Sequence, residues 1–306
     1  MEESAPEAGD GRTHVDGVDV VGSLSPSRAG DFRTCPLLYR LRTVDRLPER
    51  PSAAALRGTV VHRVLELLFD LPVPERTPER AAAMVPAAWE EVRAAEPGAA
   101  ELFALSPDPV PDADRLPGTD EGTPAGEASW LETCRASLRS YFDLEDPRRL
   151  EPAERETYVE TVLDSRLLLR GIVDRLDVAP DGAVRVVDYK TGRSPAPGFE
   201  GRALFQMRFY ALVLWRSRGV VPTLLQLLYL ADGQVLGYRP DTADLLATER
   251  LLDALWQAVG RAHETGEWLP NPGPACRWCS FKPLCPEYGG TPPPPPLPVP
   301  VVPGVV

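Results

Sequence analysis

Two neighbouring stretches decide how the chain reads: Gly171-Ile172-Val173-Asp174-Arg175-Leu176-Asp177 and Val184-Arg185-Val186-Val187-Asp188-Tyr189-Lys190-Thr191-Gly192. Both have the valine- and leucine-rich character of strands, and Pro180-Asp181-Gly182 supplies a turn between them, so the spacing predicts a hairpin. Asp188 and Lys190 are two apart on a strand and share a face. Asp174, on the preceding strand, can sit beside Asp188. Two carboxylates at the ends of adjacent strands make a hard-oxygen site suited to Mg²⁺ or Mn²⁺. A neighbouring lysine can orient or deprotonate a water and offset negative charge on a phosphate. The competing reading is a surface hairpin with alternating polar residues. Against it, Asp188 follows a valine-rich run that should be buried, and Lys190 is one of only two lysines, with Lys282, in a chain of 33 Lys+Arg.

Outward from this hairpin, Thr157–Leu163 predicts a strand before it, and Gly201 to Arg218 a helix after it. Leu224–Ala231 and Val235–Tyr238 read as strands, and Asp241–Thr265 as a long helix with Leu245, Leu252 and Val259 inward. The order β-β-β-α-β-β-α predicts an α/β fold, a mixed central β-sheet flanked by helices. On the helix after the hairpin, Gln206 and Tyr210 are four apart and share a face that can point at the sheet end; Tyr210 could equally be core. Upstream, Ser25 and Pro26 open a helix as N-cap and first residue. A second helix is expected over Ala53–Phe69, and within it Gly58-Thr59-Val60-Val61-His62 offers His62 as a further metal ligand or a structural histidine. Residues 72–150 read as a helical insertion, residues 1–22 as a disordered leader, and residues 286–306 as a disordered Pro-rich tail that could serve as a ligand for a protein partner.

Hydrophobic residues at 43% and charged residues at 25% allow a real core and exclude global disorder. No apolar run approaches the ~18 residues of a membrane span, and the polar N-terminus lacks the features of a signal peptide, so a cytoplasmic protein is expected. The net charge of −12 argues at first against a nucleic-acid partner. The charge is uneven, however: residues 28–63 carry eight arginines against three acids, whereas residues 64–160 carry 22 acids against nine bases. A polyanionic partner is therefore compatible with the remainder. No G-x-x-x-x-G-K-[S/T] loop is present, so any strand unwinding would come from a separate helicase.

Of five cysteines, Cys276, Cys279 and Cys285 have the spacing C-x₂-C-x₅-C. In a cytoplasmic chain, disulfides are the weaker explanation. Three close thiols usually need a fourth ligand, and Cys35, in Thr34-Cys35-Pro36, is the candidate. Zinc and an iron–sulfur cluster both suit four thiolates, and spacing does not separate them. Cys134 lies in the insertion and is expected to be a free thiol.

The ordered set G-T-x-x-H, G-x-x-D, D-Y-K-T-G and Q-x-x-x-Y over residues 23–286 resembles the RecB-like nucleases of the PD-(D/E)XK superfamily, with residues 72–150 matching poorly. The resemblance implies a restriction-endonuclease-like core over 23–285, with His62, Asp174 and Asp188 as metal ligands and Lys190 as catalytic lysine. Gln206 and Tyr210 would position the DNA strand. A subset of the family has one early cysteine and a late C-x₂-C-x₅-C, which implies a 4Fe–4S cluster on Cys35, Cys276, Cys279 and Cys285 within the segment 276–285. The implied activity is a Mg²⁺- or Mn²⁺-dependent DNA exonuclease on single-stranded ends in repair or recombination. A non-catalytic DNA-binding module of the same fold and an RNA nuclease are the alternatives.

Overall fold

A computed structural model describes residues 14–15, 17–49, 51–96, 98–99, 101–104 and 126–295. Its elements, in chain order, are β1 (His14–Val15), β2 (Val18–Asp19), β3 (Gly22–Leu24), α1 (Pro26–Thr34), α2 (Pro36–Tyr39), α3 (Ala53–Leu68), α4 (Pro78–Ala95), α5 (Glu101–Ala104), α6 (Glu127–Leu144), β4 (Glu154–Val162), β5 (Leu167–Val178), β6 (Val184–Lys190), α7 (Gly201–Arg218), β7 (Leu224–Tyr229), β8 (Gln234–Tyr238) and α8 (Thr242–Thr265). Local sequence sets their ends. Ser25 caps α1 by accepting the Arg28 amide at 3.2 Å, and Ser52 caps α3 by accepting that of Ala55 at 3.1 Å. Helices α7 and α8 stop at Gly219 and Gly266, both left-handed with φ of 69° and 74°.

Strand β5 is the hub of a six-stranded mixed sheet. Along one edge it pairs antiparallel with β4, from Glu154↔Leu176 to Val162↔Leu168. Its other edge is shared by two strands. Parallel β3 takes Leu167–Leu169, and antiparallel β6 takes Arg175–Val178. Strand β7 then runs parallel to β6, and β8 antiparallel to β7. Helices cover both faces. Leu167, Leu169, Val173, Val186, Leu225 and Leu227 pack with α1, α7 and α8. Val187, Tyr189, Leu228 and Leu230 pack with α3, α4 and α6. The expected α/β architecture, a mixed sheet between helical layers, is the one observed.

Two expectations need correction. Within the supposed leader 1–22, residues from His14 onward carry structure: β1 pairs with β2, and β3 joins the main sheet with Leu24 buried. Residues 1–13 lie outside the described ones. A strand of three residues carries too little periodicity to be read in advance. Gly22, at φ +155°, must lack a side chain, because a Cβ there would lie 2.2 Å from the Trp256 ring. The tail from 286 is ordered at its start: Pro286–Tyr288 forms a 3₁₀ turn and Arg40 donates to the Pro293 carbonyl. Residues 296–306 lie outside the described ones, as does the middle of the insertion at 105–125.

The insertion is tied to the sheet through Glu145, just beyond α6. Arg175 of β5 is fully buried and bonds Glu145 at 2.8 Å and the Tyr189 hydroxyl at 2.8 Å, and Arg185 of β6 pairs with the same carboxylate at 3.1 Å. Removing one partner of a buried pair costs stability, and Arg185 compensates Glu145 only in part. Arg175→Met is therefore expected to lower unfolding stability by about 3 kcal/mol in urea denaturation. The double variant Arg175→Met/Glu145→Leu should recover part of that loss.

Candidate active site

The site forms where β5 and β6 part. Their register runs Val178↔Val184 to Arg175↔Val187, and one further step would set Asp174 opposite Asp188. There the ladder stops. The Tyr189 amide donates instead to Asp174 Oδ2 at 2.7 Å. Both carboxylates thus face one another at the mouth of the splay, and both are nearly buried.

Helix α3 brings His62 over this point. Its Nε2 donates to the Tyr189 carbonyl at 2.9 Å. A carbonyl oxygen only accepts, so Nε2 carries the proton and Nδ1 is left to face the carboxylates. Nδ1 lies 3.5 Å from Asp174 Oδ2 and 3.7 Å from Glu156 Oε1. Glu156 sits on β4 in the register position opposite Asp174, between the pairs Arg155↔Arg175 and Thr157↔Val173. Its φ of +43° interrupts the ladder at that place. Donor atoms of His62, Glu156 and Asp174 all lie within 4.8 Å of one another. Among the described residues this is the one such group of three.

Asp188 occupies the opposite flank. Gln206 of α7 donates to its Oδ1 at 2.9 Å, and Lys190 Nζ lies 2.6 Å from its Oδ2. Tyr210, one turn along α7, lies against Gly171, where a Cβ would stand 2.8 Å from the Tyr210 ring. That contact explains the glycine of G-x-x-D: any side chain would displace Tyr210.

The structure therefore brings together all six nuclease-site residues read from sequence. It differs in how they group. Asp188 is engaged by Gln206 and Lys190 rather than closing with His62 and Asp174, and the third member of the compact group is Glu156, which sequence reasoning missed. A signal existed. Counting outward from the Asp164-Ser165-Arg166 turn sets Glu156 across from Asp174.

Electrostatics explain what such a group needs. Burial, then the Asp188 charge, raises Asp174 to about 7. Burial opposes charge on His62, but Asp174, Glu156 and Asp188 outweigh it and raise the imidazole to about 9. Burial, then Asp188 and Asp174, pushes the Tyr210 hydroxyl well above its usual range, so it stays a neutral donor. Crowded carboxylates that hold protons so tightly call for a cation. Hard oxygens with one imidazole fit the divalent ion that a PD-(D/E)XK fold implies.

The cysteines converge as well. Cys35 lies at the break between α1 and α2, where Pro36 forces extended backbone on the residue before it. Cys35, Cys276, Cys279 and Cys285 line one cavity with Leu37, Leu38 and Phe281. The Asn271 amide donates to Cys35 Sγ and the Gly273 amide to Cys276 Sγ, each at 3.4 Å. No three of these sulfurs close within 4.8 Å. A zinc ion bonded at ~2.3 Å would draw all four closer than that. Cys134 is a free, buried thiol, raised to about 12 by burial. No described helix is long and apolar enough to cross a membrane.

Ligation displaces the protons that His62 and Asp174 hold. Mn²⁺ affinity, measured calorimetrically, should rise as pH climbs through about 7 and keep rising to about 9. Glu156→Gln should weaken it by about tenfold or more. Unchanged affinity in that variant would remove Glu156 from the ligand set.

The model of the PD-(D/E)XK nuclease superfamily matches residues 23–286. The Gene 69 protein of Mycobacterium phage D29 is 25% identical over 300 residues, which cover 86% of this chain and 96% of that protein. A solved structure described as "Putative exonuclease", from Eubacterium rectale, aligns with a TM-score of 0.51 and 12% identity over 84% of this chain and 87% of that one, a likeness of fold. The family match spans the sheet, His62 and both hairpin carboxylates, and on that ground the chain belongs to the PD-(D/E)XK nuclease superfamily.

Proposed function

We propose that the chain is a divalent-metal-dependent exonuclease acting on single-stranded DNA ends in repair or recombination. The observation that carries this reading is the buried Asp174, fixed by the Tyr189 amide and facing His62 and Glu156 on one flank and Asp188 with Lys190 on the other. His62, Glu156 and Asp174 would hold the metal, with Asp188 beside them. The ion supplies Lewis-acid chemistry, polarising a phosphodiester and acidifying a water. The protein's own groups do the rest. The Lys190 ammonium, partly exposed beside Asp188, orients the attacking water and offsets charge developing on the phosphate. Gln206 holds Asp188 in place, and the neutral Tyr210 hydroxyl can donate to a phosphate oxygen.

The same reading includes a 4Fe–4S cluster on Cys35, Cys276, Cys279 and Cys285. Four thiols around one apolar cavity, two of them receiving amide hydrogen bonds, support it. Its role would be to fasten the early α1–α2 break to the C-terminal turns.

End-labelled single-stranded DNA tests the activity. Wild type should release label with Mg²⁺ or Mn²⁺ and not with EDTA. Lys190→Ala and Asp174→Ala should be about 10²–10⁴-fold slower. Variants as fast as wild type would refute the assignment. Anaerobically purified protein should be brown, with about four irons per chain, and Cys285→Ser should lose the colour. Colourless protein holding zinc would refute the cluster alone.

A further inference from the structure

Between its pairings with β3 and with β6, the edge of β5 from Arg170 to Asp174 has no strand beside it. A cavity of about 540 Å³ opens there, next to Lys190 and walled by α1 and α7. Three features of this cavity are unusual for the chain.

Its floor is apolar. Pro26, Ile172 and Phe205 line it, and Ile172 is 45% exposed although it sits midway along the central strand. Its rim is cationic: Arg28, Arg170, Arg202 and Lys190 all contribute, and among the described residues no aspartate or glutamate lines it, in a chain of net charge −12. Finally, the cations crowd one another. Burial, and then the Arg170 and Arg46 guanidiniums, lowers Arg28, which donates to the Ser23 hydroxyl at 3.5 Å. The cavity on the other side of the site is different: His62 and Arg63 share it with Glu66 and Glu156. A polyanion crossing the metal site would thus be gripped on one side only.

We propose that this cavity holds one unpaired nucleotide of the strand being cut, its phosphate against Arg28 and its base on the exposed Ile172. The proposal deepens the reading of the site as a DNA nuclease and rests on it for the identity of the polymer. A volume of about 540 Å³ lies within the small-ligand range and is large enough for a mononucleotide. A preference for a single strand would arise here, beside Lys190, rather than from a separate binding domain.

The test is an abasic scan. Fluorescein-labelled twelve-residue oligothymidylates, each with one abasic position, are bound in Ca²⁺ and followed by anisotropy. Wild type should lose about tenfold in affinity at one position, the order expected for burying one base against an apolar side chain. Ile172→Asp should erase that position-specific loss, and the milder Ile172→Thr should reduce it. Thermal melts will show whether each variant is folded. Arg28→Ala should weaken every oligomer alike and make the salt dependence shallower by about 0.7 in log–log slope. A flat scan, no binding by wild type, or a full penalty retained in folded Ile172→Asp would overturn the proposal. Metal-dependent digestion with a flat scan would sink the subsite and leave the nuclease standing. A localised penalty without digestion would do the reverse.

Discussion

The hydrogen bond from the Tyr189 amide to the Asp174 carboxylate is the constraint on which the rest of the site depends. A main-chain donor in a sheet normally meets a main-chain acceptor on the next strand. Here a side chain takes that place, and the ladder between β5 and β6 ends one residue earlier. The substitution has three effects. It immobilises Asp174 at the level of Asp188. It leaves the Tyr189 carbonyl to take the proton of His62, which turns the other imidazole nitrogen toward the carboxylates. It also frees the edge of β5 on which the cationic cavity lies. One missed rung therefore orders the carboxylates, orients the imidazole and leaves one edge of β5 open.

Net charge was a poor guide to this arrangement, for a reason of distance. Screening confines a surface charge to about 10 Å at ordinary ionic strength. Among the described residues, the acids of α4 and α6 lie on the layer that covers the face of the sheet packed by Val187 and Tyr189. The arginines of α1 lie with α7 on the opposite layer. In the cavity beside the splay the local field is set by Arg28, Arg170 and Arg202, with Lys190 paired to Asp188, rather than by the −12 of the chain.

The fold was legible where periodicity was long and turn residues were explicit. Helices α3, α7 and α8 came out within a residue or two of expectation because each carries several turns of apolar periodicity. What failed was short or non-local. Strand β3 spans three residues and derives its meaning from pairing with Leu167–Leu169, far along the chain. Glu156 looked like one acid among several in β4. Only its register against Asp174 distinguishes it, and register is a property of two strands. The core of the insertion was invisible in the same way. Trp89 of α4 and Trp130 of α6 meet edge to face at 4.7 Å, a contact no single helix pattern encodes.

Composition, by contrast, carried more than expected through the two lysines. Both stand where a planar guanidinium would fit poorly. Lys190 packs a compact charge 2.6 Å from Asp188 at the cavity wall, where a planar fork would reach past the carboxylate into the space the phosphate needs. Lys282 lies among the cysteine turns, donates to the Arg277 carbonyl and sits 5.7 Å from the Tyr288 ring centroid. One ammonium with three rotatable donors can satisfy a tight turn and a ring face together, and the four thiols it adjoins would carry negative charge when ligating. At both places the compact ammonium fits beside its neighbours where a planar fork would need more lateral room.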